Sequence, residues 1–246
     1  MKLLKAMAIA FSIYSKIPVP QFEWKEEDME YMMCFFPWIG GVIGMFFFGW
    51  AVLCEKFAVG NVCYALIGAA IPLMISGGFH VDGYMDTMDA FHSYQSREKK
   101  LEILKDSHIG AFAAIMLALY YMIDIAAISE IHTQKAVSAL AAVFFLARCF
   151  SGIAVMTLQP AKKEGLLYTF ASSAQKVRVK AALYFQAALC VVLMLLVSGW
   201  YGAAAIGAAL LSFFYFKKKS YKELGGITGD TAGFFVTVCE AAAGFL

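Results

Sequence analysis

Charged side chains are scarce in this sequence. They make up 15% of the 246 residues, whereas soluble domains carry about 25%. Hydrophobic residues account for 61%, and the mean hydropathy is +0.70. A soluble chain of this size has too little interior for so many apolar side chains, which excludes a water-soluble monomer. The same composition excludes a disordered chain and predicts a protein embedded in a lipid bilayer.

A strong basic excess and paired cysteines are also lacking. The net charge is only +2 and its residues are scattered, which argues against nucleic-acid binding. The six cysteines never lie closer than nine residues apart, so there is no CxxC pair for a metal or a redox centre. We expect the cysteines to be small hydrophobic packing residues.

Uncharged runs mark the segments expected to cross the membrane. The runs 31–54 and 57–81 contain 24 and 25 residues, more than the roughly 20 that span about 30 Å of hydrocarbon. The run 181–216 is long enough for two short spans that turn at residues 199–202. We predict an all-α polytopic membrane protein with about seven transmembrane helices, in the runs 31–54, 57–81, 109–129, 136–157, 181–216 (two spans) and 227–246.

The N-terminal segment is expected to lie on the membrane rather than cross it. Apolar side chains follow Lys2 and Lys5 at helical spacing, which is typical of an interfacial helix. They are Leu3, Leu4, Met7, Ala8 and Phe11.

Basic residues are distributed unevenly between the two predicted sides of the membrane. With the N-terminus in the cytoplasm, 17 of the 20 Lys and Arg residues lie on cytoplasmic segments, two lie opposite, and Arg148 falls inside a span. The positive-inside rule favours this orientation. We therefore expect the loops 80–108 and 158–180 to face the cytoplasm and residues 1–246 to form a single integral-membrane domain.

The most informative motif is an acidic one. Asp82, Asp86 and Asp89 follow Gly77-Gly78 at i, i+4 and i+7, so on a helix they share one face. Two carboxylates ~6 Å apart repel by roughly 3 kcal/mol at an effective dielectric near 20. A divalent cation removes this repulsion, and Mg²⁺ prefers carboxylates combined with phosphate oxygens and water. We predict a metal–diphosphate site formed by these three catalytic residues; the alternative is a solvated acidic helix face.

Two further polar segments are candidate parts of the same site. In the basic cluster 97–110, Lys105, Asp106 and His108 are the best candidates, whereas Arg97 is equally suited to anchor the loop to anionic lipid. In the segment 225–233, glycines at a helix start allow backbone N–H groups to approach a phosphate. The residues predicted to bind substrate there are Gly225, Gly226, Thr228 and Gly229.

Asp230 completes a second GGxxxD pattern, at Gly225-Gly226…Asp230, which matches Gly77-Gly78…Asp82. We expect Asp230 to lie level with the acidic motif. Charges within spans are costly and are candidates for function. We therefore add Arg148 to the predicted substrate-binding residues, with Glu240 facing the same interior, and we include His80 beside the acidic motif. Asp124, nearer the far side, is expected to have a structural role.

With these residues in view, the chain resembles the cobalamin synthase family nearly end to end. The segments GGFHVDGYMDTMDAF, LKDSHIGAF and GGITGDTAG are similar to its acidic signature, its following loop and its C-terminal glycine-rich motif. Residues 16–20, 36–44 and 159–166 resemble further family motifs. There are two departures: Lys16 stands in the place of the usual arginine, and Ala90-Phe91 stands where the signature more often continues with glycine.

The resemblance implies that the 5′ hydroxyl of α-ribazole, or of its 5′-phosphate, attacks adenosylcobinamide-GDP and releases GMP. It implies Mg²⁺ as the metal, bound by Asp82, Asp86 and Asp89. Asp106 and Asp230 are then candidates for a further ligand or for the base. It also implies a bacterial or archaeal plasma membrane with the site facing the cytoplasm. A homo-oligomer is compatible with the sequence.

Three other functions remain as alternatives. An intramembrane prenyltransferase also binds Mg²⁺-diphosphate, but it normally has two dense Asp-rich motifs. A CDP-alcohol phosphotransferase shares an Asp-Gly motif and a later Asp-x₃-Asp, but its pattern has Ala-Arg where Asp86 stands. A transporter could use Arg148 and Glu240 as a coupling pair, although the unusual residues are concentrated in loops rather than at the membrane midplane.

Overall fold

The computed structural model describes residues 2–20, 23, 25–162 and 164–245, and these are almost entirely helical. Lys163, counted among the cytoplasmic basic residues, and Leu246, the end of the last predicted span, lie outside the described residues. The α-helices are α1 Lys2–Tyr14, α2 Phe36–Lys56, α3 Asn61–Ser76, α4 Phe79–His92, α5 Arg97–Ile103, α6 Ala111–Ser129, α7 Gln134–Thr157, α8 Leu166–Ser173, α9 Lys176–Ser198, α10 Trp200–Leu224 and α11 Gly229–Ala242. Short 3₁₀ turns occur at Glu26–Met29 and Met32–Cys34.

Among the described residues, four helices are long and apolar enough to cross a membrane: α2, α6, α7 and α9. The bounds of α2, α6 and α7 agree with the predicted runs, because charged residues lie close to the ends of these helices, whereas α9 begins at Lys176 and ends before Gly199. Most of α7 is buried inside the protein. It is therefore the central helix, and α2, α9, α10 and α11 pack around it.

The expected count of about seven spans is not confirmed. The described part of the chain has four qualifying helices, or five spans if α3 and α4, bent by 97° at Gly77-Gly78, are counted as one broken span. The 14 residues of α11 extend only about 21 Å at 1.5 Å per residue. The 25-residue α10 ends in the charged stretch KKKSYKEL. The uncharged runs that suggested these spans thus include helices that are short or partly polar.

Two smaller expectations are confirmed as secondary structure. The run 181–216 forms two helices, and the break is Gly199, which has a left-handed φ of +57°. The N-terminal segment is a helix, α1, which buries Ala6, Ile9, Ala10 and Tyr14. It leaves Leu3 and Leu4 more than half exposed, as an interfacial helix would, and its position on the membrane stays a prediction.

Helix α4 lies outside the four qualifying spans. Because it runs at 97° to α3, it lies along the membrane boundary if α3 follows the membrane normal. It packs closely against α11 and α6. This arrangement places the acidic motif on α4 beside the glycine-rich start of α11.

Candidate active site

A cavity of about 300 Å³ lies where α4 meets α11, and the loop after α7, helix α8 and the end of α1 close it. Most of its polar lining comes from both GGxxxD segments and from the loop after α7, and Ser151 of α7 and Tyr14 of α1 add hydroxyl groups. The polar residues of the two segments and the loop are His80, Asp82, Lys162, Glu164, Thr228 and Asp230, with Gly229 beside them. The structure therefore brings together segments that are about 150 residues apart in the sequence.

The two GGxxxD segments have a similar local structure. Gly77 ends α3 and Gly225 ends α10, both in the left-handed conformation with φ of +68° and +73°. This conformation is readily available only to glycine, which explains the residue type at each helix end. Asp82 and Asp230 then lie in the first turn of the next helix.

Glycines also allow α4 and α11 to approach each other. A Cβ added to Gly83 would lie 2.9 Å from the backbone of Asp230, and one added to Gly233 would lie 3.0 Å from the carbonyl oxygen of His80. Neither position has room for a side chain. The close approach of the two backbones thus fixes the position of Asp230 relative to the acidic helix.

The loop after α7 is attached to the glycine-rich segment by a short parallel bridge. The Ala161 N–H donates to the Ile227 carbonyl (2.8 Å), and the Ile227 N–H donates to the Gln159 carbonyl (3.0 Å). Gly226 packs against this bridge, where an added Cβ would lie 2.6 Å from the Gln159 oxygen. The bridge brings Lys162 to the cavity, where its charge acts on Asp230.

The four residues predicted to bind phosphate in this segment have different positions. Gly229 lines the cavity, and an added Cβ there would meet no other atom within 4 Å. Thr228 also lines it; its hydroxyl caps α11 by accepting from the Thr231 N–H (3.1 Å). Gly225 is covered by the Arg97 guanidinium, and Gly226 by the bridge, so the structure does not bring these two glycines to the cavity.

The acidic motif divides into two parts. Asp82 is exposed and lines the cavity, and Asp86 lies half-buried one turn later on α4. Burial and the neighbouring carboxylates Asp82, Asp230 and Asp89 raise the pKa of Asp86 to about 7. The carboxylates of Asp82, Asp86 and Asp230 are therefore close enough to repel one another, as the sequence predicts.

Asp89 has different partners. One oxygen of its carboxylate accepts the Gly110 N–H (2.7 Å) and the other accepts the Ala113 N–H (2.8 Å). Its charge therefore faces the start of α6, where the helix dipole stabilises an anion. The sequence predicts that the three aspartates share one helix face, but it does not show that backbone N–H groups at the start of α6 bind the Asp89 carboxylate.

The donor set suits an incompletely enclosed Mg²⁺ ion. Carboxylate oxygens are the ligands that Mg²⁺ prefers, and it commonly uses one or two of them together with phosphate and water. Across the part of the chain that the structure describes, no three His, Cys, Asp or Glu side chains are grouped tightly enough to enclose an ion. The residues present therefore fit an ion whose coordination the substrate completes.

Lys105 is at the edge of the site and its neighbours are outside it. The Lys105 ammonium forms an ion pair with Glu164, which lines the cavity. Asp106 and His108 are exposed and do not line the cavity. They contact each other, with the His108 Nδ1 2.6 Å from an Asp106 oxygen. Hydrogen bonds from His108 lower the pKa of Asp106.

Arg148 lies in the core. It is only 1% exposed, donates to a Glu240 oxygen (2.6 Å) and to the Phe144 carbonyl (2.7 Å), and does not line the cavity. The expected proximity of Arg148 and Glu240 is confirmed as an ion pair. As a substrate-binding residue, Arg148 is not brought to the site. Asp124 is buried as well.

Some lining residues carry no signal in the sequence. Tyr14, Phe36 and Phe170 line the apolar part of the cavity, but aromatic residues in apolar segments are usually core residues. Lys162 belongs to the loop motif 159–166, and only the bridge between this loop and the glycine-rich segment shows that its charge lies near Asp230.

The chain is similar in sequence to proteins of one known family. The family model described as cobalamin-5-phosphate synthase matches residues 6–246. The chain belongs to this family. It is 44% identical over 244 residues to an adenosylcobinamide-GDP ribazoletransferase of Lachnoclostridium phytofermentans, covering 99% of this chain and 93% of that protein.

Other members of the cobalamin-5-phosphate synthase family show similar coverage. A protein of the same name from Clostridium botulinum strain Eklund 17B is 33% identical, covering 97% of this chain and 94% of its own. One from Clostridium perfringens strain SM101 is 29% identical over 96% and 94%. No solved structure matches the chain.

Proposed function

We propose that this protein is an adenosylcobinamide-GDP ribazoletransferase that depends on Mg²⁺. It joins α-ribazole, or its 5′-phosphate, to adenosylcobinamide-GDP and releases GMP. The observation that carries the proposal is the end-to-end similarity to relatives of that name. The cavity supports it, because carboxylates from two distant segments, Asp82 and Asp230, converge beside Lys162.

In the reaction, the 5′ oxygen of α-ribazole forms a bond to the cobinamide-linked phosphorus. The bond between that phosphorus and the oxygen bridging it to GMP breaks, and GMP leaves with the bonding electrons. The proton of the hydroxyl must go to a base. Asp230 is the proposed base because it lines the cavity, whereas Asp106 does not. Lys162 is placed to interact with the anionic substrate.

Asp82 and Asp86 are the proposed Mg²⁺ ligands, and Asp89 supports the helix that carries them. When bound, Mg²⁺ neutralises the negative charge of the diphosphate and of departing GMP. The protein supplies the position of the reacting groups, which is the main contribution in phosphoryl transfer. Gly229, at the start of α11, leaves backbone N–H groups accessible to a phosphate.

The proposed location is a bacterial or archaeal plasma membrane, with the site facing the cytoplasm. The unequal distribution of basic residues supports this orientation. Cysteines introduced at the exposed positions Gln95 and Ser172, in a Cys63→Ser background, test it in sealed cells. Protection from an impermeant thiol reagent is expected, and labelling from outside would contradict the orientation.

The activity itself is tested with purified protein, Mg²⁺, adenosylcobinamide-GDP and α-ribazole. Release of GMP that requires both substrates is expected. Parallel reactions with a CDP-alcohol donor and with a prenyl diphosphate test the two other enzyme classes. Turnover of either of those donors without GMP release from adenosylcobinamide-GDP would contradict the proposal.

A further inference from the structure

The inner part of the cavity is aromatic. The rings of Tyr14, Phe36 and Phe79 surround the imidazole of His80, and Phe170 from α8 contacts Tyr14 with a ring-centroid distance of 6.2 Å. The rings of Tyr14 and His80 are parallel, with centroids 6.0 Å apart, and the Phe36 centroid is 5.6 Å from that of His80. We call these four aromatic residues the aromatic end of the cavity.

His80 is a buried polar side chain at this end, and its nitrogens are unpartnered. The residue is 5% exposed, and neither Nδ1 nor Nε2 has a hydrogen-bond partner among the described residues. A buried polar group without a partner costs about 1–3 kcal/mol, so such a group is normally paired. The His80 ring lines the cavity, so a ligand that enters the aromatic end and displaces the neighbouring rings would supply the missing partner.

The cavity changes in character along its length. Its polar part is formed by Asp82, Lys162, Thr228 and Asp230, whereas the aromatic end is mostly apolar. A volume of about 300 Å³ is at the lower limit of small-molecule sites. It suits a compact molecule with a flat aromatic group and a polar group. Of the two substrates in the proposed function, only α-ribazole is of this kind, because the corrinoid nucleotide is several times larger.

A second recess is available to the larger substrate. It has a volume of about 500 Å³, is lined by Lys16, Gly77 and Gly78, and shares Phe79 and Asp82 with the cavity. Asp82 therefore lies between the two spaces. A nucleoside whose base occupies the aromatic end would extend its sugar toward Asp82, where the donor can reach its 5′ oxygen.

We propose that the aromatic end of the cavity is the subsite for the benzimidazole base of α-ribazole, with His80 donating a hydrogen bond to the free ring nitrogen of the base. This inference rests on the proposed function. It assigns His80 a role in selecting and positioning the acceptor, with no part in the chemical step. The aromatic residues contribute stacking and edge contacts with the base.

The test compares His80→Phe with His92→Phe in the full-length purified protein. His92 lies on the same helix, where its Nδ1 contacts the Met88 carbonyl (2.8 Å) and its ring stacks on Phe112, outside the cavity. Binding of α-ribazole is measured calorimetrically without the donor. Loss of the hydrogen bond is expected to weaken binding about tenfold in His80→Phe and to leave His92→Phe unchanged.

A ligand variant makes the test specific. The α-riboside of the corresponding indole has carbon in place of the free ring nitrogen. The unmodified protein is expected to bind it about tenfold more weakly than α-ribazole, whereas His80→Phe should bind both equally. Equal binding of the two ribosides by the unmodified protein would overturn the inference, as would unchanged α-ribazole binding by His80→Phe.

Kinetics separate this inference from the proposed function. In GMP-release assays, His80→Phe should raise the KM for α-ribazole and leave the KM for adenosylcobinamide-GDP unchanged. Phe170→Leu, which shortens the aromatic end without touching a nitrogen, should also raise only the KM for α-ribazole. Equal increases in both KM values would overturn the assignment of the aromatic end to α-ribazole. Continued GMP release by the same variants would still support the proposed function. Failure of the unmodified protein to release GMP would instead contradict the function.

Discussion

The carboxylates at the cavity and the ion pair in the core differ in how their charge is compensated. Asp82, Asp86 and Asp230 act on one another as like charges, and burial and the neighbouring charges raise the pKa of Asp86 to about 7. Glu240, by contrast, is deeply buried and lies 2.6 Å from Arg148. All are costly in isolation, but the core pair is neutralised by direct contact, whereas the cavity carboxylates are compensated only in part, by the charge of Lys162 on Asp230.

The way in which a charge is compensated distinguishes structural from functional charged residues more clearly than burial does. A buried charge must be paired, and breaking such a pair leaves an uncompensated charge. A group of like charges at an accessible cavity remains unfavourable until a cation binds. From sequence alone, Arg148 and Glu240 were also candidates for function, because any charge within a span is costly. The contacts show that they hold α7 and α11 together.

The largest effect is expected from breaking the core pair. Glu240→Gln leaves the Arg148 charge buried and uncompensated, which should cost about 3–5 kcal/mol of stability. Turnover per folded molecule should stay near that of the unmodified protein, because neither residue lines the cavity. Melting temperature and GMP release measure the two effects. The double variant Arg148→Met/Glu240→Gln should regain part of the stability, and a large loss of turnover in the folded fraction would contradict this assignment.

The cavity carboxylates should behave in the opposite way. Asp82→Asn and Asp230→Asn are expected to lower turnover on the order of 10²-fold, as for a lost ligand or base. The melting temperature should be kept or raised, because each substitution removes like-charge repulsion. Glu102→Gln is a control, since Glu102 is exposed and pairs with Lys99. Normal turnover with a lowered melting temperature would reduce Asp230 to a helix cap.

Substitutions of Asp89 are expected to have effects on stability and turnover between those of the core pair and those of the cavity carboxylates. Asp89→Ala removes both acceptors for the start of α6 and should cost about 1 kcal/mol of stability, the usual value for a lost cap. Asp89→Asn keeps one acceptor and should cost less. If Asp89 acts through α6, turnover should follow this order in kinetic measurements. Equal and large losses of turnover in both variants would instead support Asp89 as a metal ligand.

The smallest effect is expected from Asp106→Asn. Hydrogen bonds from His108 lower the pKa of Asp106, so the carboxylate is ionised at neutral pH and is a weak proton acceptor. It is exposed and lies outside the cavity lining. Turnover and its pH profile should therefore change little. Loss of the acidic limb of the pH profile in this variant would identify Asp106 as the base.

Much of the fold follows from local patterns in the sequence. Charged residues delimit α2, α6 and α7, and Gly199 separates α9 from α10, because these features act within a single helix. The number of spans does not follow, because uncharged runs do not show that α3 bends into α4 or that α11 is short. Both depend on packing between helices.

The site was predictable where a motif carried the chemistry. The aspartates of the two GGxxxD segments are found together, as expected from their spacing after glycine pairs. The capping role of Asp89, the bridge that brings Lys162 to Asp230, and the aromatic residues around His80 were not predictable. Each depends on a contact between segments far apart in the chain, which cannot be inferred from the sequence of either segment alone.

The central claim is that the cavity carboxylates, which Lys162 compensates only in part, bind a metal–diphosphate. The most direct measurement is GMP release as a function of Mg²⁺ concentration for the unmodified protein and for Asp86→Asn, at equal amounts of folded protein. The account predicts no release after chelation of Mg²⁺ and a half-saturating Mg²⁺ concentration at least about tenfold higher in Asp86→Asn, the usual effect of weakening a metal site. Full release in the presence of a chelator, or the same Mg²⁺ dependence in both proteins, would contradict it.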